Sequence, residues 1–409
     1  MPPVLAPKRP YNLPVPHPSQ VNDKQRYKAR RVFGRICVAF TIAILLATLW
    51  PFNPWPSNDV SWLKEGNGIR FGRNGILRSR SPLRHFIPAQ GLPASIEILL
   101  QPNTAEGVQT ILSFYSVENP RQFQLGQFQD DLMVMSTSRD VQGQLRLAEL
   151  DADHILRARQ IVFLTITSGD SGTSIYLNGT IVQRSSRFHF RGEDLQGELI
   201  LGTSPLDHLP CSGELLGVSF YATELTPVQV LTHVRMWQNS GAFGFSDSPS
   251  PMLLYDFSER SGTLIHSKIV SGPDLEISSH YLIPHKLFLK PFWKELTADS
   301  DYVKDVLRNI VGFMPLGVFL FAYFSCSLEP KQSMLAAVIC GATLSLSIEI
   351  LQAYIPGRSS GTTDILTNTL GAFLGAWLGG REISTKVFSR IGLTASEESL
   401  RIHKMLPSD

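Results

Sequence analysis

The chain has 409 residues, of which 43% are hydrophobic and only 18% charged, with a net charge of +2. That length suits two or three domains, and the near-neutral charge excludes a general nucleic-acid binder. The four cysteines show no CxxC pair and no Cys/His spacing, which excludes structural zinc and a disulfide scaffold. No GxGxxG, GxxxxGK[ST] or HExxH motif is present, so the common nucleotide and metalloprotease readings fall away. A mean hydropathy of +0.02 lies between soluble and membrane chains, and points to both kinds of segment in one protein.

Residues 1–35 are proline-rich and carry eight basic residues against the single acid Asp23, and read as a disordered basic tail. The uncharged run from Ile36 to Trp50 follows, and predicts a first transmembrane helix over 36–53 with Arg35 snorkelling toward the headgroups. The segment PFNPWPSND beyond it offers no small-x-small cleavage site, so the run reads as an uncleaved signal anchor.

Residues 60–280 consist of short alternating runs separated by Gly, Pro and Asn. Ser95–Leu100 places Ile96, Ile98 and Leu100 on one face, and Ile161–Thr167 repeats the pattern. In SIYLNGTIV, Asn178-Gly179 supplies the positive φ angles of a two-residue hairpin turn. Glu198–Gly202, Leu215–Tyr221 and Met252–Phe257 add further strands. One helical turn is expected where Thr226 caps, Pro227 opens and Gln229 closes a capping box. The pattern predicts a two-sheet antiparallel β-sandwich.

The hairpin IYLNGTIV, then ELILGTSP and CSGELLGVSFYATELTPVQVLTH, together resemble the closing half of a laminin-G-like, concanavalin A-like jelly roll. The resemblance covers most of residues 65–280 and implies carbohydrate or protein binding, in some relatives with calcium. Asp130-Asp131 offers hard oxygen ligands for calcium, although such a pair also reads as a solvated strand end. The E-x-D-x-x-E strand of the hydrolytic relatives is absent, and no carboxylate pair can be nominated for glycoside hydrolysis. The sandwich therefore reads as a binding module rather than an enzyme, with no metal site assigned.

Three further apolar stretches, about 306–327, 333–355 and 363–379, approach or exceed the length of a bilayer span. With the first helix they predict a four-helix transmembrane bundle. Basic residues flank it at both chain ends, so the N-terminus and the 381–409 tail are expected in the cytoplasm and the sandwich outside.

Polar residues of this region gather at one end. Ser345, Glu349 and Gln352 share a stripe of the third span; Asp364, Asn368, Gly371 and Gly375 share one on the fourth; Asn309 opens the second, and Arg358 lies in the connecting loop. The direction of each span brings all six polar candidates to the sandwich side of the membrane. Two roles follow: interhelical glue, or a small pocket with Glu349 or Asp364 as proton acceptor and Asn309, Gln352, Arg358 and Asn368 as binding groups.

The blocks N-I-x-x-F-x-P-L-G at Asn309–Gly317, S-x-x-I-E-x-x-Q at Ser345–Gln352 and R-x-x-x-x-x-D-x-x-x-N-x-x-G at Arg358–Gly371 resemble the VanZ-like family of bacterial membrane proteins. The resemblance covers residues 300–380 and implies a link to low-level resistance to the glycopeptide teicoplanin, without naming a reaction. Some 250 residues inserted between the first two spans depart from the compact family form. The expectation is a multi-pass cell-envelope protein that meets membrane lipids through its spans and a glycan or envelope protein through its sandwich. The alternatives are a membrane enzyme acting on a lipid-linked head group at the outer leaflet, and a transporter subunit.

Overall fold

The computed structural model describes residues 18–86, 91–139, 145–240, 243, 249–269, 272–295 and 300–381. The tails expected at 1–35 and 381–409 therefore lie outside the described residues at 1–17 and beyond 381. The chain divides into a β-rich unit, residues 53–287 with 353–359, and a helical unit formed by residues 1–52, 288–352 and 360–409.

In the β-rich unit two antiparallel sheets share one core. The first runs in the order Val60–Trp62, Ile69–Phe71, Gly213–Tyr221, Ala94–Pro102, Val162–Gly169, Gly172–Leu177 and Thr180–Ser185, with Leu253–Tyr255 also paired to Gly213–Tyr221. The second runs Leu264–Ile265, Leu275–Glu276, Leu77–Ser79, Glu198–Leu201, Val108–Tyr115, Phe123–Phe128, Asp131–Arg139 and Leu145–Ala152. Alternation puts Ile96, Ile98 and Leu100 of one sheet against Leu112, Phe114 and Leu125 of the other, all buried. Phe114 and Phe220 meet edge to face across the layers at 5.4 Å. The Asn178-Gly179 turn forms as expected, with φ of 51° and 84°, and closes the hairpin between Leu177 and Thr180.

The expected helical turn after Thr226 is longer than one turn. Besides the membrane-type helix α1 (Pro18–Leu49), the chain forms α2 (Pro227–Ser240), whose first turn has the anticipated capping box. The Thr226 N–H donates to Gln229 Oε1 at 2.8 Å, and the Gln229 N–H donates to Thr226 Oγ1 at 3.4 Å. The helix continues because Val230 and Val234 lie on one face, and that face is buried. It lies on the outer surface of the first sheet, over Leu99, Phe163 and Leu254.

In the helical unit, α1 is followed by α3 (Phe292–Glu295), α4 (Ser300–Ser325), α5 (Pro330–Ala353) and α6 (Thr362–Gly379). The first span differs from the 36–53 expected. The helix already includes residues 18–35, read above as tail, and stops at Leu49, two residues before Pro51. A residue ahead of proline is driven out of the helical region, which ends the helix there. Among the described residues three helices are long and apolar enough to cross a membrane, Arg26–Leu49, Tyr302–Ser325 and Pro330–Ala353. The fourth expected span, α6, is shorter and includes Asp364, Asn368 and four threonines.

Glycines set the approach of α4 to α6. A β-carbon at Gly371 or Gly375 would overlap the carbonyl oxygens of Ile310 and Met314, and one at Gly317 would overlap that of Ala372. Backbone therefore meets backbone at this crossing, the close approach that small-xxx-small spacing permits. On α5 the buried residues Ser333, Ala337, Gly341, Ser345 and Glu349 recur every fourth position, giving one inward stripe.

Candidate functional site

The N-terminus of α6 is where the polar residues of the helical unit meet. Its first N–H groups have no helical partner, and the N-cap residue Gly361 has no side chain to supply one. Two carboxylates from elsewhere fill the gap. Glu349, buried on α5, accepts the Gly361 N–H at 2.8 Å through Oε2. Glu295, at the end of α3, accepts the Thr363 N–H at 3.1 Å and also bonds the Thr363 hydroxyl. Ser360 Oγ donates to the Glu349 carbonyl at 2.9 Å, tying the incoming loop to the end of α5. Negative charge at a helix N-terminus is also favoured by the helix dipole.

One turn further on, Asn309 Nδ2 of α4 donates to Asp364 Oδ1 at 2.8 Å, and Asn368 Nδ2 donates to Ser345 Oγ of α5 at 2.9 Å. Three helices are joined by this pair of bonds. Of the six residues nominated from sequence, Asn309, Glu349, Asp364 and Asn368 belong to the cluster. Gln352 points toward α1, where its Nε2 donates to the Thr48 carbonyl at 3.1 Å. Arg358 lies in the 353–359 segment, which belongs to the β-rich unit, and its N–H donates to the Ile355 carbonyl at 3.0 Å.

Glu295, Ser360 and Thr363 were not nominated. The run Ser-Ser-Gly-Thr-Thr-Asp before an apolar helix was an available N-terminus signal. Nothing local marked Glu295, which lies 67 positions before the first residue of the helix it caps, Thr362.

The β-rich unit holds a polar cleft of about 340 Å³ where the strands Ile69–Phe71, Gly213–Tyr221 and Ala94–Pro102 end. Arg70 and Glu214, cross-strand neighbours in its lining, pair at 2.6 Å, and Asn103 Nδ2 donates to Ser212 Oγ at 3.2 Å. Gln101 Nε2 donates to the Arg159 carbonyl at 2.9 Å, holding the loop that forms the far wall. The cleft thus presents guanidinium, carboxamide, hydroxyl and carboxylate groups side by side.

Asp130 and Asp131 do lie together, and His154 joins them; their ligand atoms are within 4.8 Å of one another. The His154 ring is 2.8 Å from Asp130 Oδ2, and the His154 N–H donates to Asp131 Oδ1 at 2.8 Å. This contact raises the histidine pKa and lowers that of Asp130, each stabilising the other's charge. Calcium takes six to eight oxygen ligands. Here the imidazole engages one carboxylate, Asp130, and the backbone N–H of His154 engages the other, Asp131.

A second unforeseen cluster is buried under α2. Glu97 is fully buried, and both its oxygens contact His233 Nδ1, at 2.9 and 3.1 Å. The Tyr221 hydroxyl donates to Glu97 Oε2 at 2.8 Å, and its ring stacks on His233. Thr165 and Ser219, the cross-strand neighbours of Glu97, each reach it at 3.4 Å. The alternation of Ile96 and Ile98 marks Glu97 as outward-facing; only α2 makes that face interior.

Residues 254–380 match the family model described as VanZ/LLP1. The match begins in the β-rich unit and contains all three sequence blocks quoted above. No curated protein matches the chain. Among solved structures the chain is similar to a candidate carbohydrate-binding protein from Bacteroides ovatus, at 16% identity and a TM-score of 0.35, over 54% of this chain and 62% of that one. The chain therefore spans about three fifths of that protein. It is also similar to the CBM40 of a Ruminococcus gnavus sialidase bound to sialyllactose, at 14% identity and a TM-score of 0.31, over 41% and 95% of the two chains. A heptameric SAP-like pentraxin from Limulus polyphemus gives 15% identity and a TM-score of 0.32, over 54% and 94%.

Proposed function

We propose that this is a four-span cell-envelope protein whose jelly-roll sandwich, held outside the membrane, binds a glycan, and that it serves cell-wall homeostasis, the setting in which a glycopeptide-resistance phenotype would arise. The reading is carried by one observation: a sandwich with a polar cleft is inserted in sequence between two helices whose outward side chains are apolar. Val38, Ile42 and Leu46 stand exposed on α1, and Val303, Leu307 and Val311 on α4. In water such stripes are an aggregation liability, whereas in lipid they are the solvent-facing surface.

The same argument makes α6 the fourth span. Leu366, Leu370, Phe373 and Trp377 are exposed along one of its faces, while its polar and small residues turn inward. With four spans the cations of α1 from Arg26 to Arg35 and the C-terminal tail both lie in the cytoplasm, as the positive-inside rule requires. The polar cluster then has a structural task, ending α6 and joining α4, α5 and α6, because its two capping carboxylates are each occupied by backbone N–H groups.

The cleft favours a glycan over a protein partner, since amide, guanidinium and carboxylate groups placed together suit sugar hydroxyls. The test is glycan-array binding by the full chain in detergent, alongside Gln101→Ala and Asn103→Ala. Saccharide binding lost in both variants, with thermal unfolding unchanged, is expected. Binding that survives both substitutions would exclude the cleft. A reporter fused after Gly380 should be active in the cytoplasm; activity outside would remove α6 as a span.

A further inference from the structure

Between the middle turns of α1 and the end of α4 runs a groove of about 680 Å³. One part of its lining is apolar, from Val38 of α1 and Leu320 and Phe324 of α4. Gly34 keeps it open: a β-carbon there would already stand 3.3 Å from the Tyr323 ring, so a longer side chain would occupy the space. The volume lies within the roughly 300–1,000 Å³ of ordinary ligand pockets.

The rest of the lining is cationic. Arg30, Arg31 and Arg35 all border the groove and all are exposed. The Arg30 guanidinium lies 5.2 Å from the Tyr323 ring centroid, and that of Arg31 lies 5.7 Å from Tyr27. Aromatic faces thus hold two of the cations in place without neutralising them. Among the residues whose side chains are described, from Arg26 onward on α1, no carboxylate pairs with any of the three.

Three guanidinium groups beside an apolar channel in a membrane-type helix pair suit an amphiphile with an anionic head. We infer that this groove binds an anionic phospholipid, its phosphate held by Arg30, Arg31 and Arg35 and the start of an acyl chain lying along Val38, Leu320 and Phe324. Guanidinium forks match phosphate oxygens two at a time, which lysine would not do. A zwitterionic lipid would bring an ammonium into a site already rich in positive charge. A water-soluble phosphate would leave the apolar wall uncovered.

The test is native mass spectrometry of the full chain in detergent, with phosphatidylglycerol and phosphatidylcholine of matched acyl chains. Phosphatidylglycerol should be retained in preference. Each of Arg30→Gln, Arg31→Gln and Arg35→Gln should lower its occupancy by about fivefold while leaving phosphatidylcholine unchanged. Gly34→Leu, which fills the groove and keeps every charge, should reduce the occupancy of both. In the unaltered chain, where folding is not in question, a photoactivatable phosphatidylglycerol should label residues 27–38 or 320–324, and excess glycerol 3-phosphate should not compete. Equal retention of the two lipids, labelling elsewhere, or displacement by glycerol 3-phosphate would each overturn the assignment, the last by reducing the site to one for a free anion.

Discussion

The Glu349 carboxylate accepts the Gly361 N–H at 2.8 Å, so a residue of α5 ends the exposed backbone of α6. Glu349→Ala should destabilise the helical unit by about 1–3 kcal/mol, because it leaves a buried donor unsatisfied. Glu349→Gln keeps an acceptor there and should cost less. Thermal unfolding of the full chain in detergent reads the difference, and equal stability of Glu349→Ala and the parent would contradict the capping role.

Glu97 and His233 form a buried pair fixed by Tyr221. Glu97→Ala should destabilise the sandwich by about 3–5 kcal/mol, the usual consequence of removing one partner from such a pair. A double-mutant cycle with His233→Ala should show strong coupling, since each partner's loss strands the other. Additive effects would mean that the two side chains are energetically independent despite their contact.

Gly375 lies against the Met314 carbonyl, and no side chain fits between them. Gly375→Leu should push α6 away from α4 and lower the amount of folded protein in the membrane, whereas Leu370→Ala, on the exposed face, should not. Cysteine cross-linking between the two helices provides the readout: unchanged efficiency in Gly375→Leu would show that the crossing tolerates bulk.

Burial pushes the Asp194 carboxyl up to about 6 from a usual value of 3.8. Below about pH 3 the group is largely protonated in both folded and unfolded chains and has little influence. Between about 4 and 6 the folded state keeps a proton that the unfolded chain releases, so its contribution to stability falls as pH rises and the penalty is complete near pH 7. Asp194→Asn should therefore stabilise the sandwich by about 1–2 kcal/mol at pH 7 and scarcely at all at about pH 3. A pH series of thermal unfolding for the two proteins decides it; a stabilisation that grows toward low pH would reverse the argument.

Much of the architecture is legible locally. The two-residue period of Ile96, Ile98 and Leu100, the positive-φ turn at Asn178-Gly179 and the Thr226–Gln229 capping box are short-range signals, and the structure contains all three. The length of α2 was missed because its continuation depends on the sheet surface it covers. The extent of α1 was missed because basic and proline-rich composition hid a helix that starts at Pro18.

The candidate site divides along the same line. Helical spacing alone puts Ser345 beside Glu349 and Asn368 beside Gly371, since neighbours on one helix are set by 100° of rotation per residue. Which oxygen meets which N–H is set by chain segments far apart in sequence. Glu295 and Glu349 lie on opposite sides of α4 in sequence and converge on α6, and Gln352 turns to α1 instead. Residue types and their periodicity thus determined what kinds of element form and which faces are apolar, because both follow from the local geometry of the backbone. Partner choice at the α6 N-terminus and the burial of Glu97 were decided only by tertiary packing, because a polar group's partner depends on what the rest of the chain brings within 3 Å of it.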